Sequence, residues 1–128
     1  MSTFSDTKIS ALPEHVRNLL NGTADLSLAV EGFAKLRDVA LQNAAVVNQV
    51  LDPRTRALIE QEAKIYQDLA NLTAQAQTVQ CNEELTVAER MIAMYNLAQE
   101  EIEAFRQLYD NKKELNEMLT RVVERYKK

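Results

Sequence analysis

The sequence predicts an all-α protein: a helical bundle of one short N-terminal helix plus three long antiparallel amphipathic helices with coiled-coil-like packing. Glycine and proline are scarce, with two of each in 128 residues. Strong helix formers such as Ala, Leu, Glu, Gln and Lys are abundant. Apolar residues recur in alternating steps of three and four, which aligns them on one face of a helix. A β-rich fold would need many turns, and clusters of turn-forming residues are missing.

The chain length suits one domain, which we expect to span residues 10–128. Residues 1–9 are short and polar, and we expect them to form a flexible N-terminus. A short helix is predicted over about residues 13–20. Pro13 fits its first turn, where the missing N–H costs nothing, and Asn21-Gly22 ends it, since both tolerate a left-handed backbone.

The first long helix is predicted over about residues 24–51, with Thr23 as its N-cap. Gly32 lies inside it, so either the helix begins later or a neighbour packs closely there. Asn43 occupies a position in the apolar stripe, where it either fixes the register of pairing or lies at the edge of the core. The stripe consists of Leu26, Ala29, Phe33, Leu36, Ala40, Asn43, Val47 and Val50, widened by Val30, Ala44 and Leu51.

The second long helix is predicted over about residues 53–79. Asp52-Pro53 is the strongest boundary in the sequence, because Asp caps a helix and Pro suits its first position. The two helices are of equal length with almost no loop, which favours an antiparallel hairpin over a single kinked helix. Glu62 falls at an apolar position, and we expect it at an edge with its stem packed. The stripe consists of Leu58, Ile65, Leu69, Leu72, Ala76 and Val79.

The third long helix is predicted over about residues 86–127. It begins with a capping box in which Thr86 and Glu89 satisfy each other's backbone. Its stripe slips by one residue near Asp110-Asn111, where the helix either twists differently or breaks. The first frame contains Ala88, Met91, Tyr95, Ala98, Ile102, Phe105 and Tyr109, and the second contains Leu108, Leu115, Leu119, Val122 and Tyr126.

The third helix is too long for the hairpin to cover. It would measure about 63 Å and each hairpin helix about 40 Å, so about 15 residues would project. A projecting apolar stripe needs a cover: the short N-terminal helix, a second copy of the chain, or a different protein. The candidate interaction surface is therefore the apolar set Leu115, Leu119, Val122, Val123 and Tyr126.

Charge is distributed unevenly along this helix. Residues 83–103 carry six acids and one base, a net charge of −5, whereas residues 104–128 carry four acids and seven bases, a net charge of +3. Acidic residues near the start of a helix and basic residues near its end interact favourably with the helix dipole. The same polarity would also orient a partner or an antiparallel copy.

The sequence contains no pattern that indicates catalysis, a cofactor or a metal site. His15 is the only histidine and Cys81 the only cysteine, too few for a zinc site within one chain. A Ser-His-Asp arrangement would depend on His15 as its base, and no nucleophile turn is present. Neither glycine-rich phosphate-binding motif occurs. We therefore expect a protein that is not an enzyme.

Composition also constrains partners and compartment. The net charge of −4 argues against nucleic acid as the main partner. The single cysteine, together with the lack of a secretion signal or an apolar membrane span, predicts a cytoplasmic protein. The leading expectation is a non-enzymatic helical protein–protein interaction module: an adaptor, regulator or assembly factor. The alternatives are a self-assembling scaffold, or a nucleic-acid-associated factor that uses the basic C-terminal end.

Overall fold

The computed structural model describes residues 3–22, 25–47 and 53–127, and its helices confirm the all-α fold. Helix α1 is Glu14–Asn21, α2 is Leu26–Val47, α3 is Pro53–Cys81 and α4 is Val87–Arg125. No strand occurs among these residues, although one isolated antiparallel bridge joins Lys8 to Thr86. The expected N-cap Thr23, and the expected boundary residue Asp52 with the rest of 48–52, lie outside the described residues.

Helix α3 is the centre of the bundle, with α2 and α4 packed against it. Two apolar clusters hold the helices together. The first joins Ile65, Tyr66 and Leu69 of α3 to Ala104 and Leu108 of α4, with Phe33 and Leu72 packed against it. The second joins Ala40 and Ala44 of α2 to Ile59 and Ala63 of α3, with Leu115 packed against it.

The order of these contacts shows an antiparallel hairpin rather than one kinked helix. Phe33, early in α2, packs near Leu69, whereas the later Ala44 packs near the earlier Ile59. Helix α4 also runs antiparallel to α3, since Arg54 at the start of α3 bonds to Glu114, late in α4. The helices therefore alternate in direction along the chain, as predicted.

The N-terminal segment contacts the connection that precedes α4. It forms two 3-10 turns, Phe4–Asp6 and Ile9–Ala11, and the Ile9 side chain is fully buried. The Ile9 N–H donates to the Leu85 carbonyl at 3.0 Å, and the Val87 N–H donates to the Thr7 carbonyl at 3.0 Å. Backbone groups of Thr7 and Ile9 therefore have partners in the connection to α4 and at its first residue, while the flexibility of residues 1–9 stays a prediction.

Helix α1 is anchored beside the start of α4. The Asn21 side-chain amide donates to Glu83 at 3.0 Å, and the buried Arg90 guanidinium donates to the Asn21 side-chain oxygen at 2.7 Å. The bond from Asn21, followed by that from Arg17, lowers the pKa of the Glu83 carboxyl. Gly22, at φ +72°, ends α1 in a backbone conformation that suits glycine.

Helix α2 runs through Gly32, and neither a later helix start nor a closely packed neighbour accounts for this glycine. The helix begins before it, at Leu26, and a Cβ added at Gly32 would meet no atom within 4 Å. The neighbouring surface is therefore open. Asn43 is exposed, which corresponds to the edge position considered for it and not to a buried register-setting amide.

Helix α4 is continuous through Asp110 and Asn111, so the predicted slip is not a break. Asn111 is buried, and its amide donates to the Leu58 carbonyl at 2.8 Å. The capping box at the start is present: Thr86 accepts from the Glu89 N–H at 3.1 Å, and Glu89 accepts from the Thr86 N–H at 3.0 Å.

The residues that α4 turns into the bundle form one regular series, which we call the inner stripe. Its members are spaced by alternating steps of four and three, and each is buried or half-buried. The series contains six large apolar side chains, Ala104 and three polar residues. Two of the polar residues, Arg90 and Asn111, have hydrogen-bond partners on other segments. The inner stripe consists of Arg90, Met94, Leu97, Glu101, Ala104, Leu108, Asn111, Leu115, Met118 and Val122.

A pair of truncations on α4 tests this assignment. Leu108→Ala should lower the free energy of unfolding by about 2–5 kcal/mol, because it leaves a cavity beside Leu69. Ile102→Ala should cost less than about 1 kcal/mol, because Ile102 is 62% exposed. Urea denaturation of dilute protein measures both, and equal losses would show that the helix is rotated from the described position.

Candidate interaction surface

A second apolar series runs along α4 one residue away from the inner stripe, and it faces solvent. We call it the outer stripe. Ile102 is 62% exposed, Tyr109 68% and Tyr126 85%. Every member of the series is exposed, and its spacing again alternates between four and three. The outer stripe consists of Met91, Tyr95, Ala98, Ile102, Phe105, Tyr109, Lys112, Asn116, Leu119, Val123 and Tyr126.

This finding corrects the core assignment for the first half of α4. Six residues of the first apolar frame were expected to form the seam of the bundle, yet each of them is exposed: Met91, Tyr95, Ala98, Ile102, Phe105 and Tyr109. Two series one residue apart lie about 100° apart on a helix, so only one of them can face α3. The outer stripe has the spacing of a coiled-coil seam, yet all of its members are exposed.

The outer stripe contacts α2 through an aromatic pair, and α2 also carries exposed apolar residues. The Phe33 and Phe105 rings meet with their centroids 6.2 Å apart and their planes tilted by 58°. On α2, Leu28, Leu36 and Val39 share one face and are all exposed. The Phe33–Phe105 contact therefore joins α2 to the middle of the outer stripe.

Lys112 interrupts the outer stripe, but its charge is directed elsewhere. Its ammonium bonds to Glu62 at 2.7 Å and lies 5.8 Å from the centre of the Tyr66 ring. The bond to Glu62 raises the pKa of the Lys112 ammonium, so the group stays charged. The Glu62 side chain is only 13% exposed and also accepts from the Tyr66 hydroxyl at 3.1 Å. Lys112 therefore offers its aliphatic stem to the stripe.

The five residues of the predicted interaction surface fall into two groups. Leu119, Val123 and Tyr126 belong to the outer stripe and are exposed. Leu115 and Val122 belong to the inner stripe and are half-buried, and Leu115 packs against the cluster of α2 and α3. Three of the five predicted residues therefore lie on the exposed outer stripe and two face the bundle, and their role in binding stays a prediction.

The end of α4 projects beyond α3, although by less than predicted. Arg54, near the start of α3, lies level with Glu114, and α4 continues to Arg125. The remaining part is about 16 Å long. Helix α1 does not cover it, because α1 is bonded to Glu83 and Arg90 at the opposite end of α4.

The groups considered for chemistry do not come together in the described part of the chain. Cys81 is exposed at the end of α3, and His15 is exposed on α1. Within residues 3–22, 25–47 and 53–127, no group of three or more His, Cys, Asp or Glu side chains is arranged to hold a metal ion. No helix in these ranges is long and apolar enough to cross a membrane.

The contribution of the Glu62–Lys112 hydrogen bond, which holds the ammonium away from the outer stripe, can be measured by substitution. Glu62→Ala should lower the free energy of unfolding by about 1–3 kcal/mol, because Lys112 and the Tyr66 hydroxyl lose their shared acceptor. Glu60→Ala is the matched control: its ion pair with Arg56 is exposed and should contribute at most about 0.5 kcal/mol. Thermal or urea unfolding measures both, and equal effects would exclude a specific role for Glu62.

Comparison of the chain with protein-family models, with curated proteins and with solved structures finds no match.

Proposed function

We propose that this protein is a non-enzymatic helical interaction module, an adaptor, regulator or assembly factor, whose binding surface is the outer stripe of α4. The observation that carries the proposal is the exposure of a coiled-coil-spaced series over nearly the whole of one helix. An apolar series with this spacing is buried by a second helix that lies along it. Helix-on-helix burial is therefore the binding mode we assign to it.

Two features of the stripe support binding over an accidental patch. Scattered exposed apolar residues are normal on protein surfaces, whereas contiguous patches mark interaction sites. The stripe is contiguous, and Phe105 joins it to α2 through Phe33. Its tyrosines also fit an interface, because their rings supply apolar area while their hydroxyls tolerate water before binding.

A self-assembling scaffold is the second candidate, and the same stripe supports it. The projecting end of α4 favours it, since α1 lies at the other end and leaves that surface uncovered. The nucleic-acid alternative has less support. Two bases of the C-terminal half are engaged by acids: Lys112 by Glu62, and Arg106 by Glu103. The free, exposed thiol of Cys81 fits a reducing compartment such as the cytoplasm.

Charge placed in the stripe tests the proposal. The double variant Tyr95→Asp, Ile102→Asp should keep its helix content, because both side chains are exposed, and should lose its assemblies, because charge cannot enter an apolar seam. The measurement is size-exclusion elution of the tagged chain in native extract at its natural abundance. We expect the wild type in a larger assembly and the variant at the monomer position.

A matched control carries the same added charge on the same helix, away from the stripe. Asn96→Asp combined with Gln107→Asp meets this condition, since both residues are exposed and belong to neither stripe. The control should elute with the wild type. If both double variants behave alike, the stripe is not a binding surface. Circular dichroism of each variant confirms that the helices persist.

A further inference from the structure

We infer that the occupant of the outer stripe is a second copy of this chain, whose α4 lies antiparallel to the first across a two-fold axis. This inference rests on the proposed function, because it names the partner of the same surface. A two-fold interface requires a surface that is complementary to itself. The residue order of the outer stripe and the charge polarity of α4 as a whole meet that requirement in the antiparallel direction.

The charge polarity of α4 sets the direction of pairing. The first half of the helix is acidic, with Glu89, Glu100, Glu101 and Glu103 against the single base Arg90. The second half carries an excess of bases, with Arg106, Lys112, Lys113, Arg121 and Arg125 against Asp110, Glu114, Glu117 and Glu124. A parallel pair would place like halves together, whereas an antiparallel pair places the acidic half of one copy along the basic half of the other.

The order of residues in the stripe is also self-complementary. Overlap of the stripe from Met91 to Val123 places the two-fold axis between Phe105 and Tyr109. Aromatic side chains then meet at the centre of the interface, where buried anchors contribute most. Towards the ends, Met91 faces Val123 of the second copy and Tyr95 faces its Leu119.

The two polar members of the stripe are accommodated in this register. Lys112 faces Ile102 of the second copy, and its ammonium is already held away from the stripe by Glu62. Asn116 faces Ala98 of the second copy, whose small side chain leaves room for an amide. No position of the stripe would therefore bury an unpaired charge, which is the usual obstacle to such an interface.

The size of the stripe indicates a dimer of moderate affinity. A surface about 50 Å long and about 10 Å wide covers about 500 Å² on each copy. Stable interfaces of standard size bury about 800 Å² on each partner. Phe33 of α2, which contacts Phe105, adds to this area. We expect dissociation in the micromolar range, so the dimer should depend on protein concentration.

Distances between spin labels test both the partner and the direction. In a Cys81→Ser background, one variant carries Gln107→Cys and another Arg121→Cys, both at exposed positions outside the stripe. Gln107 lies beside the proposed two-fold axis, so its two labels should be about 20–30 Å apart, the width of a helix pair. The Arg121 labels should be displaced along the axis by about 42 Å, so their separation should exceed about 40 Å.

The results separate the failure of this inference from failure of the proposed function. Equal distances at the two positions would mean parallel pairing and would overturn the antiparallel arrangement. A monomer by light scattering up to about 100 µM, well above the expected micromolar range, would exclude the second copy. In that case, stripe-dependent assemblies in extract would leave the interaction module standing with a different partner. If those assemblies are absent as well, both the second copy as partner and the proposed interaction module are contradicted.

The stripe variant supplies the control for the distances. Adding Tyr95→Asp and Ile102→Asp to the Gln107-labelled chain should abolish the short distance. The same label combined with Asn96→Asp should retain it. Loss of the distance in both would show that it does not arise from the outer stripe. Circular dichroism verifies that each labelled chain keeps its helices.

Discussion

The rest of the structure depends on the burial of α3 between two other helices. Its buried residues lie on two adjoining faces, one with Leu58 and Ile65 and the other with Ile59 and Ala63. Both α2 and α4 contribute to the clusters on them. One helix can cover only one of these faces, so α2 and α4 must approach α3 from different sides. This constraint fixes the direction of α4 and decides which of its faces is used inside the bundle.

The inner stripe suits that contact better than the outer stripe does. Ala104 lets the α3 and α4 backbones approach closely, and the Asn111 amide reaches the Leu58 carbonyl from a buried position. At the corresponding points the outer stripe has Phe105 and Lys112, which are larger. Its tyrosine hydroxyls would also need partners if they were buried. Packing and hydrogen bonding therefore place the inner stripe against α3 and leave the outer stripe exposed.

Much of the fold could be predicted from the sequence because local signals determine it. The scarcity of Gly and Pro, the cap formed by Thr86 and Glu89, and Pro53 at the start of α3 place the helices within a few residues of their observed bounds. The N-terminal segment could not be predicted, since the burial of Ile9 depends on contacts with Leu85, which is distant in sequence. The face of α4 that enters the core was also missed. Two apolar series with the same spacing lie on it, and periodicity alone does not show which one α3 will cover.

The outer stripe explains why the sequence pattern seemed to slip near Asp110. There is no slip in the helix, which is continuous. The first frame follows the outer stripe, whereas the second frame combines Leu108, Leu115 and Val122 of the inner stripe with Leu119 and Tyr126 of the outer stripe. A helix with two seams contacts its own bundle through one and is free to bind another helix through the other. The proposed role of this protein is a direct consequence of that division.

Hydroxyl-radical labelling of the tyrosines at two protein concentrations tests this division most directly. At low concentration, Tyr95 and Tyr109 should label rapidly and Tyr66 slowly, because Tyr66 is 6% exposed and the other two are 64% and 68% exposed. At high concentration, Tyr95 and Tyr109 should become protected while Tyr66 stays unchanged. Rapid labelling of Tyr66 together with protection of Tyr95 at low concentration would show that α4 packs through the opposite stripe, and would contradict the account.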